Sequence, residues 1–119
     1  MKIAVSSQGT GLDSQIDPRF GRAAYLLIID TVSAEIEVID NAENLNAFKG
    51  AGIQAAAMVS DSGAEVLLTG YCGPNAFKTL QAAGVKVAND VSGTVEDAVN
   101  AFNEGIVSFA ADANVEGQW

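Results

Sequence analysis

The strongest constraint on this chain is the order of its short apolar runs, three of which crowd into the first forty residues. Lys2–Ser6 (KIAVS), Tyr25–Asp30 (YLLIID) and Glu35–Asp40 (EIEVID) read as strands. The turn Thr31-Val32-Ser33-Ala34 joins the last two into a hairpin. YLLIID is apolar on both faces, as a central strand is. EIEVID partly alternates, with Ile36 and Val38 expected inward and Glu35 and Glu37 outward, as on an edge strand. After Lys49 the pattern changes to helix and strand in turn. Gly50–Asp61 is an alanine-rich helix, and Glu65–Thr69 (EVLLT) is a strand. The next helix has Gly73 as N-cap and Pro74 at its first position, and stops near Gly84. Val85–Ala88 (VKVA) is a short strand. Val95, Ala98, Val99 and Phe102 then recur at i, i+3, i+4 and i+7 behind a weakened capping box of Thr94 and Asp97. Gln8–Gly21 has no period and reads as a long loop, and Asn41–Lys49 as a mobile, Asn-rich one.

A hairpin followed by βα units leaves few topologies. The order predicts an α/β fold with a mixed five-stranded sheet, spatial order 3-2-1-4-5, flanked by three helices. Strands 1, 4 and 5 run parallel, in a ribonuclease H-like layout. Residues 1–109 form one domain in this reading, and 110–119 a flexible acidic tail.

Composition removes several functions. Net charge is −9, from 6 Lys and Arg against 15 Asp and Glu, which argues against nucleic acids and acidic membranes as partners. No apolar run has spanning length, and Met1-Lys2-Ile3-Ala4-Val5 is strand rather than signal peptide, so a cytoplasmic protein is expected. There is one cysteine, Cys72, and no histidine. That excludes an internal disulfide, makes a poor zinc set, and removes His-based acid, base or nucleophilic catalysis. With no complete catalytic constellation, the chain is expected not to be an enzyme.

In an open α/β sheet, ligands sit beyond the carboxyl ends of the strands, where the connections diverge. Here that point lies between strands 1 and 4, at the loops Ser6–Arg22 and Gly70–Asn75. The Asn41–Gly50 loop returns to the same end as a candidate lid and carries Lys49. The only two arginines, Arg19 and Arg22, lie in the first loop, and Lys78 is near. The helices starting at Gly50 and Gly73 add partial positive charge from their N-termini. The expectation is an anion pocket rather than a nucleophile with its base. Plainer readings stand beside it. Arg19 and Arg22 pair with Asp13, Asp17 or Asp30; Gly73-Pro74-Asn75 is only a good helix start; Cys72 is only a small buried residue. Gly9-x-Gly11 with Asp30 mimics a dinucleotide fingerprint, but the third glycine is missing and Asp17-Pro18 breaks the helix it needs. A two-metal nuclease needs carboxylates along the sheet, and strand 4 offers only Glu65, at its far end.

Three segments carry a resemblance: Asp17-Pro18-Arg19-Phe20-Gly21-Arg22-Ala23, Gly50-Ala51-Gly52-Ile53-Gln54-Ala55-Ala56 and Gly70-Tyr71-Cys72-Gly73-Pro74-Asn75-Ala76-Phe77. In this order they resemble the dinitrogenase iron–molybdenum cofactor biosynthesis family, over Met1 to about Phe102. The resemblance implies a ribonuclease H-like fold and non-catalytic carriage or storage of a metal–sulfur cluster. The short, acidic, stand-alone form within the family implies a molybdenum–copper sulfide cluster held without ordinary protein ligation. The alternative cargo is an iron–molybdenum or iron–sulfur cofactor precursor. Such clusters are anions with their own sulfide ligands. Arg19, Arg22 and Lys49 would supply charge, Gly52, Gly73, Pro74 and Asn75 the backbone surface, and Ile16, Phe20 and Phe77 an apolar wall. Cys72 is the one candidate metal ligand, suited to Cu(I). A second functional reading is a regulatory module that docks on a P-loop ATPase partner.

Overall fold

The computed structural model describes residues 1–45 and 50–110. β1 (Lys2–Ser7) is the central strand. β2 (Tyr25–Asp30) pairs antiparallel with it, Val5 opposite Leu27, and β3 (Ile36–Asp40) pairs antiparallel with β2. A single turn, α1 (Ala42–Leu45), comes next, followed by α2 (Ala51–Asp61) and β4 (Ala64–Leu68). α3 (Pro74–Ala82), β5 (Lys86–Ala88) and α4 (Val95–Asn103) complete the order. β4 is parallel to both β1 and β5, so the five-stranded sheet reads β3-β2-β1-β4-β5, as expected.

Alternation along the strands builds two cores. On one face Ala4, Leu26, Ile28, Leu67 and Val87 pack with Ala55, Ala56 and Val59 of α2 and Phe77 and Leu80 of α3. Small side chains at Ala55 and Ala56 let α2 lie close to the sheet. On the other face Ile3, Val5, Leu27, Ile29 and Leu68 pack with Val95 and Ala98 of α4. Both faces of β2 are therefore covered, which is why its run is apolar throughout.

Two local expectations fail. Val38 is 44% exposed rather than turned inward. It lies on the edge strand, beyond the helix layer that covers β1. Ile36 and Ile39 instead pack against the two opposite cores. The segment after β3 is not all loop, because α1 forms within it. The rest of that segment, with Lys49, lies outside the described residues. Beyond α4 the chain reaches the free edge of β5, where the Ala110 N–H donates to Val87 O at 2.7 Å. Residues 111–119, which hold most of the expected tail, also lie outside the described ones. Among the described residues no helix is long and apolar enough to cross a membrane.

Candidate functional site

At the carboxyl ends of β1 and β4, two buried hydroxyls meet. Ser6 Oγ donates to Asp17 O at 2.7 Å, so Thr69 Oγ1, 2.8 Å away, donates to Ser6. This pair seats the loop that carries the arginines. The Tyr71 N–H donates to Pro18 O at 2.6 Å, and the Phe20 N–H donates to Tyr71 O at 3.1 Å. The contact is close enough to require glycine. A Cβ on Gly70 would stand 2.8 Å from Pro18 Cα and O, and one on Gly21 would stand 2.8 Å from Gly52 Cα. The Asp17–Arg22 loop is thus wedged between the β4–α3 turn and the first turn of α2. All three segments of the sequence resemblance meet there.

Asp17 lies beneath the loop, 6% exposed. Its Oδ1 accepts the Arg19 N–H at 3.1 Å and its Oδ2 the Ala24 N–H at 3.3 Å. Arg19 Nε is 3.9 Å from the same Oδ1, and the Arg19 side chain remains 42% exposed. The carboxylate pairing foreseen for Arg19 therefore exists, but it is long and half-solvated, a contact worth under about 1 kcal/mol. The guanidinium still reaches solvent at the mouth. Arg22, half-buried, sits on the same loop.

Helix starts divide into two kinds. Thr94 Oγ1 accepts the Asp97 N–H and Asp97 Oδ2 accepts the Thr94 N–H, at 3.1 and 3.0 Å, completing a capping box on α4. The next N–H groups of α4, on Val95 and Glu96, donate to Ser14 O and Leu12 O. The starts of α2 and α3, at Gly50 and Gly73, have no side-chain cap. Gly52 N of α2 lies against Gly21 of the arginine loop, and Tyr71, three residues before α3, is bonded to that loop.

The three residues expected to form an apolar wall lie in two different cores. Phe20 and Phe77 are 1% and 6% exposed, in the α2/α3 core under the mouth. Ile16 belongs to the opposite core, held there by its N–H bond to Gly93 O. Cys72 is at the right place along the chain but fully buried in the α2/α3 core. Burial pushes its thiol up to about 12, so without a metal it stays protonated. Gly52 is buried against Gly21, while Gly73 and Pro74 are half-buried and Asn75 exposed. Among the described residues no cluster of His, Cys, Asp or Glu has the makings of a metal site. Two residues at the mouth escaped the sequence reading. Tyr71, 40% exposed, sits inside a recognised segment, which was a signal for it. Asn41 is almost fully buried, and its Nδ2 donates to Gly21 O and Ala23 O. Nothing in its Asn-rich surroundings marks it out.

The family described as dinitrogenase iron-molybdenum cofactor matches residues 1–105 of this chain. The protein belongs to that family. Solved structures resemble this family member over nearly its whole length. The apo form of the orange protein from Desulfovibrio gigas is 50% identical, with 96% of each chain covered and a TM-score of 0.93. A putative NifB protein from Thermotoga is 38% identical over 98% of each chain, with a TM-score of 0.84. A putative dinitrogenase from Methanocaldococcus jannaschii is 17% identical, covering 94% of this chain and 96% of its own, with a TM-score of 0.72. At that identity it shares the fold alone. Among curated proteins none matches.

Proposed function

We propose that this protein binds an anionic metal–sulfur cluster and carries or stores it without catalysis. The observation that carries this reading is the arginine loop, fixed against Tyr71 and bordered by two helix starts without side-chain caps. A sulfide-ligated cluster brings its own ligands and negative charge. It needs cations and N–H donors at its rim more than protein thiolates. The described residues fit such an anion, and no group of His, Cys, Asp or Glu among them fits a bare metal ion. Family membership supports a cofactor-related role, and a relative known in an apo form supports ligand binding. Following the family resemblance, the cargo we propose is a molybdenum–copper sulfide cluster, with an iron–molybdenum or iron–sulfur precursor as the alternative. We also read the hairpin-first sheet as ribonuclease H-like. None of the relatives supports a P-loop ATPase partner.

The test is a titration of the protein with tetrathiomolybdate and Cu(I), followed by desalting, metal analysis and visible absorption. Retained Mo and Cu with new charge-transfer bands are expected. Arg19→Ala/Arg22→Ala should weaken uptake by tenfold or more, since charge-assisted hydrogen bonds are worth about 1.5–3 kcal/mol each. Arg19→Ala alone should barely change the melting temperature, because Arg19 is half exposed and its pairing with Asp17 weak. Uptake unchanged in the double variant would remove the arginines from the site. A wild-type protein that retains no metal would overturn the molybdenum–copper assignment.

A further inference from the structure

The buried polar side chains among the described residues are Ser6, Ser7, Asp17, Asn41, Asn44 and Thr69. All but Ser7 hydrogen-bond the Asp17–Ala24 loop, directly or through one partner. Burying polar groups lowers stability unless each is paired, so their collection at one spot asks for a purpose beyond packing. Asn41 is the hub on the β3 side, at 1% exposure. Its Nδ2 donates to Gly21 O at 3.2 Å and Ala23 O at 2.8 Å, and its backbone N–H donates to Ala24 O at 3.0 Å. Its Oδ1 accepts Asn44 Nδ2 at 2.8 Å. Asn44, at 5% exposure, is a buried residue of α1. From the other side, Asp17 holds the amides of Arg19 and Ala24.

We propose that Asn41 and Asn44 are positioning residues, a latch that holds the Arg19–Ala24 loop and ties it to α1. The purpose of the latch, presenting Arg19 and Arg22 to an anion, rests on the cluster-binding reading above. Only a carboxamide meets both demands at position 41. Two carbonyls need a donor, and the Asn44 amide needs an acceptor. Asn41→Asp keeps the shape, removes the donor, and sets a carboxylate against Gly21 O and Ala23 O. Asn44→Ala leaves both carbonyl bonds but removes the side-chain bond from α1 that orients the Asn41 carboxamide.

The test uses the full chain and three variants: Asn41→Asp, Asn44→Ala and Val66→Ala. Val66 is buried in β4 on the α4 face, away from the network, and serves as the stability control. Amide hydrogen exchange is followed by NMR at Phe20, Ala23 and Ala24, and binding is measured with tetrathiomolybdate alone. Asn41→Asp should speed exchange at these amides by about tenfold or more, and weaken tetrathiomolybdate binding by about tenfold. Asn44→Ala should shift both in the same direction by less. Val66→Ala should lower the melting temperature without either effect. Loop exchange that merely follows melting temperature across all three variants overturns the latch. Should Asn41→Asp fail to fold, Asn44→Ala against Val66→Ala makes the same decision. Wild-type protein that binds no tetrathiomolybdate, while the variants still loosen the loop, overturns the anion-presenting purpose and upholds the latch as a loop anchor. Normal binding with unaltered loop exchange overturns the latch and leaves the cluster reading standing.

Discussion

Cys72 shows that a residue's place in the chain does not fix the surroundings of its side chain. It stands between Tyr71 and Gly73, both at the mouth, yet its side chain points into the α2/α3 core with Phe20 and Phe77. There the thiol behaves as a small apolar group. Two outcomes follow for it. A thiol reagent should leave the native protein unmodified and react fully after denaturation; fast reaction with native protein would mean that the core beneath the mouth opens. Stability should also depend on pH through this group. Its native value is raised from 9.0 to about 12, so its contribution is complete below about 9 and is lost as pH rises toward 12. Urea unfolding of wild type against Cys72→Ala isolates it. The gap between them should shrink across that range, and a constant gap would contradict the burial of the thiol. Cys72→Ala should leave cluster uptake unchanged within about twofold, because the thiol faces the α2/α3 core rather than solvent; a loss of uptake would place Cys72 among the ligands.

At the scale of elements, the division between helix starts matters most. α4 has its first turn closed twice, by the capping box and by carbonyls from the Leu12–Ser14 loop. α2 and α3 have neither a side-chain cap nor an acidic residue in the first turn. Uncapped N–H groups cost stability unless something else accepts them. The α4 box should therefore behave as ordinary scaffolding. Thr94→Ala is expected to cost about 1 kcal/mol in urea unfolding at neutral pH. Hydrogen bonds from the Thr94 backbone and side chain hold the Asp97 carboxyl below its usual value. Its contribution is complete above the ordinary carboxylate range near 4 and disappears as pH falls through the lowered native value. The difference between wild type and Thr94→Ala should thus narrow in acid. A difference independent of pH would mean that the reciprocal bond from Asp97 adds nothing.

Across the whole molecule two electrostatic effects act at different ranges. Net charge is −9, and the proposed cargo is itself an anion. The cationic loop works only at contact. The protein measures 35 × 28 × 24 Å. Screening shortens from about 30 Å at 0.01 M salt to about 8 Å at 0.15 M, from beyond the molecule's width to well inside it. Added salt should therefore relieve long-range repulsion and weaken local attraction together. In stopped-flow mixing with tetrathiomolybdate, the association rate should rise with salt while dissociation also quickens. An association rate that falls with salt would mean that the mouth's field already dominates at a distance.

Much of the architecture was readable in the chain because it depends on local order. Apolar alternation, the turn after Asp30, Gly73-Pro74 and the Thr94–Asp97 box each act within a few residues. A hairpin followed by βα units then admits little besides the observed strand order. That order also places the Arg19–Arg22 loop beside the β4–α3 turn. The tertiary structure alone decided which side chains stay exposed there. Irregular segments carry no period, so their faces are set by distant partners. Gly93 O turns Ile16 to the α4 side, while Tyr71 and Gly52 press Phe20 and Gly21 toward the other. Asn41 looks like any turn asparagine until Gly21 and Ala23 are folded over its amide. Hydrogen bonds between residues far apart in sequence are made only by the folded chain, and at this mouth they set the chemistry.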